Sequence, residues 1–306
     1  MRAWLVALLA LPVQAATYWV VLAGLGGEPD YEQRFSAWAR EAEKLARGSA
    51  GEVHVSSLAG KDATADRIRA LFGDLARRVR PEDSFVLLLI GHGTFDGYQY
   101  KFNIPGPDVS GEDLAGLLDR ITAARQLVVN TTSASGACME PLRKPGRIVI
   151  TATKSGMEKN ATVFARYWIE ALRDPAADAD KNETVSALEA FRYATQKTAR
   201  FYESQRRLAT EHPLLEDTGQ GSGVRSPAPQ DGTGRLAAAF PLIRFGQAQA
   251  AARDPARRAL LARKEELEQK IDLLKYQKAA MDSAEYRKQL TALLVELARV
   301  NEELEK

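Results

Sequence analysis

One cysteine, three histidines and a net charge of only +2 in 306 residues remove several classes of protein before any motif is read. A lone Cys138 excludes an internal disulfide framework, which a chain of this size does not need. Lys and Arg are scattered rather than gathered on one face, so no surface for nucleic acid or anionic lipid is expected. No stable membrane span is expected either. The apolar stretch from Ala3 to Val13 is too short to cross a bilayer, follows Arg2, and runs into small residues at Val13 and Ala15. That is the pattern of an export signal. Residues 1–15 are expected to be removed after Ala15, leaving a periplasmic or secreted chain; a buried first strand or an uncleaved anchor is the other reading. No cysteine placed for lipid attachment follows the run.

What is present is an ordinary globular composition, 45% hydrophobic and 27% charged, enough for one large domain and an accessory piece. From Thr17 onward, apolar runs alternate with amphipathic stretches. TYWVVLAG, EVHVSSL, SFVLLLIG, QLVVN and RIVITAT read as strands. Between and after them, YEQRFSAWAREAEKLARG, ADRIRALFGDLARRV, GEDLAGLLDRI, ATVFARYWIEALR and SALEAFRYATQKTARFYESQRRL read as helices. SFVLLLIG and QLVVN are continuous rather than alternating, as strands covered on both faces require. The expected fold is α/β, a three-layer sandwich around a mostly parallel sheet, with functional groups at the carboxyl ends of its strands.

RLAAAFPLIRFG reads as a last strand, and the Gly-, Pro- and Ser-rich residues 212–234 before it as a long flexible loop. The main domain thus covers 16–247. From 248 to 306 the composition shifts to Ala, Leu, Glu, Lys and Arg. Leu260, Leu267, Ile271, Leu274 and Met281, then Tyr286, Leu290, Leu293, Leu297, Val300 and Leu304, recur at three-four spacing, with Ser283 as the expected N-cap between two helices. This is an α-helical hairpin or coiled coil, closing on itself, pairing two chains into a homo-oligomer through 254–306, or docking as a solvated tail.

Of the histidines, His54 alternates with valines in a strand and His212 opens the Gly-rich loop. His92 lies between two glycines directly after a buried strand, where a backbone amide can approach a bound carbonyl oxygen. The next strand, QLVVN, runs into Thr131-Thr132-Ser133-Ala134-Ser135-Gly136. Here the chain resembles the caspase and legumain clan of peptidases, in which one strand ends in His-Gly and the next in a small residue, the nucleophilic cysteine, any residue and Ser-Gly. The resemblance runs from about Thr17 to Gly246, and TATKSGMEKNATVF is similar to legumain-like sequences. It implies a caspase-like fold, with Ser133 where the family has its cysteine, His92 as general base, and the amides of Gly93 and Ser133 as an oxyanion hole. A serine needs a better-placed base than a thiol does, usually one oriented by a third group; Asp96 is the nearest candidate, and Cys138 is a competing nucleophile. Tyr31-Glu32-Gln33 stands where legumains carry Tyr-Arg-His, so their acidic specificity pocket does not transfer. AGLGGE lacks the spacing of a dinucleotide loop.

Residues 178–189, DADKNETVSALE, match a twelve-residue EF-hand loop. Asp178, Asp180 and Asn182 fall at positions one, three and five, Thr184 supplies a carbonyl at seven, and Glu189 closes at twelve. Glu183 occupies position six, where glycine is favoured. A structural Ca2+ is one expectation. The other is that Ser186 and Glu189 are simply a capping box at a helix start. Three functions follow: a peptidase cutting peptide or protein substrates through a His92/Ser133 dyad, a catalytically inactive peptide-binding relative assembling through its coiled coil, or a calcium-dependent envelope scaffold.

Overall fold

A computed structural model describes residues 15–305. The expected signal segment lies outside them except for Ala15. In chain order the elements are β1 Thr17–Ala23, α1 Pro29–Gly48, β2 Val53–Ala59, α2 Ala65–Arg78, β3 Ser84–Ile90, β4 Gly93–Phe95, β5 Tyr100–Phe102 and β6 Val109–Ser110. Next come α3 Gly111–Asp119, β7 Arg125–Asn130, α4 Met139–Leu142, β8 Arg147–Thr151, α5 Phe164–Ala171, β9 Thr184–Ser186, α6 Ala187–Ser204 and β10 Leu214–Glu216. The chain closes with α7 Arg235–Ala238, β11 Pro241–Arg244, α8 Gly246–Arg253, α9 Arg258–Gln277 and α10 Ser283–Leu304.

The central sheet has the order β10-β8-β7-β3-β1-β2. Its first five strands in sequence are parallel, and β10 joins β8 antiparallel. Every residue of β3 is buried, the consequence of two covering helical layers. On one face Trp19, Val21 and Ala23 pack with Phe35 and Ala42 of α1, Trp168 of α5 and Phe191 of α6. On the other, Tyr18, Val20 and Leu22 pack with Phe72 of α2, Leu118 of α3 and Leu142 of α4. This is the α/β three-layer class expected, with the expected C-terminal helical hairpin.

Two expectations for residues 212–246 are corrected. Residues 212–234 are not one loop, because Leu214–Glu216 pairs with Val149–Thr151 as the sheet's antiparallel edge. The buried Asp217 then accepts hydrogen bonds from the amides of Gly234 and Ala237 at 2.7 and 3.1 Å, tying the far end of the segment back. The stretch RLAAAFPLIRFG is a short helix followed by β11, which pairs with β9 instead of entering the central sheet.

α9 and α10 form an intrachain antiparallel hairpin. α9 buries Leu261, Leu267, Ile271 and Leu274, so Leu261 rather than Leu260 begins its seam. Asp282, not Ser283, caps α10, accepting from the amides of Ala284 and Glu285 at 2.9 and 3.1 Å. One cavity is lined jointly by Arg258, Leu261 and Ala262 and by Thr17, Ser84 and Arg125. The hairpin therefore sits at the amino-terminal ends of the strands, opposite the end that carries His92 and Ser133.

Candidate functional site

β3 ends at Ile90 and β7 at Asn130, and their parallel pairing sets Leu89 opposite Asn130. The residues that follow are thereby side by side. Thr131 continues the ladder, its amide and its hydroxyl both donating to Leu89 O, at 3.0 and 2.6 Å. Thr132 Oγ1 lies 2.7 Å from the hydroxyl of the fully buried Tyr100 and donates to Asn130 Oδ1 at 2.8 Å. Ser135 Oγ accepts from the Thr153 amide at 3.1 Å, and Thr153 Oγ1 accepts from the Gly136 amide at 2.8 Å. The hydroxyls are thus partners for one another and for the backbone where the sheet stops, which buried polar groups require. Ala134 takes a left-handed φ of 56°, and its amide donates to Glu158 O at 2.8 Å.

Ser133 is 2% exposed. Its Oγ accepts from the Gly93 amide at 3.1 Å and donates to Gly93 O at 3.1 Å. Ser133 and Gly93 are therefore brought together, but with the hydroxyl occupying the very amide assigned to an oxyanion. His92, one residue away, turns to α1. Its half-buried ring meets Tyr31 and Phe35 edge-on, at centroid distances of 4.8 and 5.0 Å, and bonds the backbone of Gly26. Burial holds its pKa below the usual histidine value despite the Gly26 bond and the nearby Glu28. It is neutral at physiological pH, the form a general base needs.

Asp96 does not orient it. Its carboxylate accepts from the amides of Tyr98 and Gln99, both at 2.9 Å, and lies 3.6 Å from Lys101. Cys138 is fully buried, and burial pushes its thiol far up, which makes it a small hydrophobe rather than a nucleophile. Tyr31 packs on His92, and Glu32 Oε2 accepts from the Gly26 amide at 2.8 Å, so these two residues shape the histidine's surroundings.

Sequence reasoning missed one group beside Ser133. The Glu158 carboxylate pairs with His212 Nδ1 and accepts the His212 amide at 3.1 Å, while its carbonyl holds Ala134. Next to it, the buried Glu211 accepts from the amides of Val163 and Phe164, at 2.8 and 3.2 Å, and from Tyr202 Oη at 2.9 Å. Glu158 and His212 are 54 positions apart, and no spacing signal joins them.

The acidic loop lies between α5 and α6 and runs into β9 before α6 begins. The carboxylates of Asp178, Asp180 and Glu189 offer oxygens within 4.8 Å of one another. Glu183 has φ 68°, the backbone that position six demands, and its carboxylate accepts from the Ala248 amide at 2.8 Å at the start of α8. A non-glycine residue is thus repaid with a cap on the C-terminal region. Val185 pairs with Ile243 across β9 and β11. The capping box is also present: Glu189 Oε2 accepts from the Ser186 amide and hydroxyl at 2.9 and 2.8 Å, while Oε1 accepts from the Ala179 amide at 2.9 Å. The two expectations for this loop therefore share residues. A cavity of ≈ 360 Å³ opens beside it, lined by Asp180, Asn182 and Glu189 from the loop and by Glu265, Glu268 and Asp272 from α9. Burial and the neighbouring Glu189 push Asp180 up to about 6, and burial pushes Glu268 up to about 7.

Among solved structures the chain is similar to protein GSU0716 from Geobacter sulfurreducens, at 13% identity and a TM-score of 0.45, over 70% of this chain and 95% of that one. It is also similar to the Drosophila initiator caspase Dronc, at 10% identity and a TM-score of 0.41, over 69% of this chain and 82% of that one. No protein-family profile and no curated protein matches it. No helix among the described residues is long and apolar enough to cross a membrane.

Proposed function

We propose that this chain is an exported, legumain- and caspase-like peptide-binding protein in which Ser133 is a structural residue rather than a nucleophile. The observation that carries this reading is the seal at the site: a 2%-exposed serine whose one hydroxyl satisfies both backbone groups of Gly93. Exposed apolar side chains on two loops at that end of the sheet, Tyr98 and Met157, support a peptide as the occupant. The outer face of α10, with Leu294 and Val295 each 47% exposed, is the surface on which two copies would assemble.

The second reading is hydrolysis. A neutral His92 at the adjacent strand end supports it, and catalytic hydrogen bonds can be long or absent without substrate. It requires Ser133 Oγ to rotate off Gly93, freeing that amide for an oxyanion while His92 takes the hydroxyl proton. A proteome-derived peptide library separates the two readings by mass spectrometry, using the chain from Ala16 and its Ser133→Ala variant. We expect peptides retained by both proteins and cut by neither. We also expect Ser133→Ala to lose about 1–3 kcal/mol in urea titration, because two buried backbone groups lose their partner. Cleavage by the parent alone would establish the hydrolase instead.

For the loop 178–189 the proposal is a weak structural Ca2+ held by Asp178, Asp180, Asn182, Glu189 and the Thr184 carbonyl. Mutual repulsion of these carboxylates supports it, since a divalent ion relieves it. Calcium at about millimolar concentration is expected to raise the thermal midpoint. Asp180→Asn should abolish that rise, and a midpoint indifferent to calcium and chelator would leave the loop as a capped helix start.

A further inference from the structure

Exposure and hydrogen bonding both change at a single peptide bond. Ala15 is exposed, whereas Ala16 is 2% exposed and packs in the core layer with Tyr18, Ile68 and Phe72. The backbone of Ala16 is held at both ends. Its nitrogen donates to Asp83 Oδ1 at 2.8 Å, and its carbonyl accepts from the Ser84 amide at 2.9 Å. Asp83 is itself 0% exposed. Among the described residues its other hydrogen-bond donors are on Arg80: the amide at 2.8 Å and the guanidinium at 3.0 and 3.3 Å. Burial alone would raise this carboxyl, but the bonds from Arg80 and Ala16 hold it below the ordinary range, so a full negative charge faces the Ala16 nitrogen. The same bond follows the small residues Val13 and Ala15.

We propose that hydrolysis of the Ala15–Ala16 bond is a maturation step whose product, the Ala16 α-ammonium, pairs with the buried Asp83 carboxylate and locks β1 into the sheet. The maturation half rests on the export reading above. An endopeptidase selecting small residues at the two positions that matter would catalyse it with water as the only co-reactant. The C–N bond breaks, the water oxygen goes to the Ala15 carbonyl carbon, and its protons leave Ala15 as a carboxylate and Ala16 as an ammonium. The bond to the ionised Asp83 is already charge-assisted through its acceptor; hydrolysis makes the donor ionised as well and adds a direct attraction between opposite charges. Arg80 Nη2 bonds the same Oδ1 as the Ala16 nitrogen, but from a side chain 36% exposed, so water partly screens its charge, whereas Ala16 is buried. The pairing raises the amine above its unfolded value of roughly 7.7–8.0. Its stabilisation is therefore complete below that value and is lost as pH rises through the folded one.

The test uses a chain starting at Ala16, prepared by removing a cleavable tag, together with its Nα-acetylated form and Asp83→Asn. Acylation of the α-amine at about pH 8 is followed by mass spectrometry in folded and urea-unfolded protein. We expect the folded amine to react at least about tenfold more slowly, the equivalent of one pKa unit, and Asp83→Asn to restore most of the rate. The stability of the free-amine chain should fall between about pH 8 and 10 in a way the acetylated chain does not share, a comparison that stands even where Asp83→Asn fails to fold. Equal amine reactivity in folded and unfolded chains overturns the pairing. Separately, N-terminal sequencing of the protein exported from the full chain should begin at Ala16. Any other start overturns the maturation step, whatever the amine measurement gives.

Discussion

Gly93→Ala is expected to unfold at clearly lower urea than the parent, with a loss at or above the roughly 1–3 kcal/mol typical of overpacked cores. A Cβ at this position would lie 2.5 Å from Ser133 O, 2.5 Å from the Tyr100 ring and 2.7 Å from Thr132 Oγ1. None of these can retreat cheaply. Ser133 O is backbone at a strand end, Tyr100 is 1% exposed, and Thr132 Oγ1 is shared between Tyr100 Oη and Asn130 Oδ1. The methyl would also part the Gly93 backbone from Ser133 Oγ, so two buried polar groups would be orphaned on top of the clash. Gly116→Ala is the control. It lies inside α3 with nothing within 4 Å of an added Cβ, and helix propensity predicts a gain of about 1 kcal/mol. A Gly93→Ala protein as stable as the parent would mean that β4 is free to move away from the end of β7, and with it the seal proposed for Ser133.

No local feature of the sequence encodes that seal. The burial of SFVLLLIG and QLVVN and the run of small hydroxylic residues after Asn130 were visible, because continuous apolar runs and a composition break are local features. So was the juxtaposition of His92-Gly93 with Ser133, since adjacent parallel strands end at the same edge. The direction of the Ser133 hydroxyl was not visible. It depends on a backbone 40 residues away, and no spacing rule distinguishes a serine aimed at histidine from one aimed at glycine. The same limit explains β10: Leu214–Glu216 is three residues long, too short to show alternation, and it is a strand only because β8 offers a free edge. Glu183 shows the converse. Its side chain breaks the EF-hand pattern, yet the left-handed backbone is present and the carboxylate caps α8, a compensation that only the fold reveals.

Glu211→Gln is expected to remove a stability loss that the parent suffers as pH rises from about 4.5 to 7. Burial pushes the Glu211 carboxyl up to about 7, against the hydrogen bonds from Val163, Tyr202 and Phe164 that favour its charge. In that window the folded chain keeps a proton which the unfolded chain has released, so unfolding becomes easier with each pH step and levels off above the folded value. The shift corresponds to a loss on the order of 3 kcal/mol for a group this enclosed. Glutamine is neutral throughout. Its single carbonyl cannot accept all three bonds, which costs about 1 kcal/mol at every pH and leaves no slope. His92 contributes the opposite sign, because its lowered pKa makes the folded chain more stable as pH rises through the histidine range; that contribution is common to both proteins and cancels in their difference. Asp180 and Glu268 share the sign of Glu211 and cancel likewise. Urea midpoints of the two proteins from pH 4.5 to 8 should therefore cross, with Glu211→Gln the weaker protein in acid and the stronger one, by about 2 kcal/mol, once pH passes the folded value. Parallel curves would mean that Glu211 is ionised throughout, and that the start of α5 is held by a charged carboxylate rather than a protonated one.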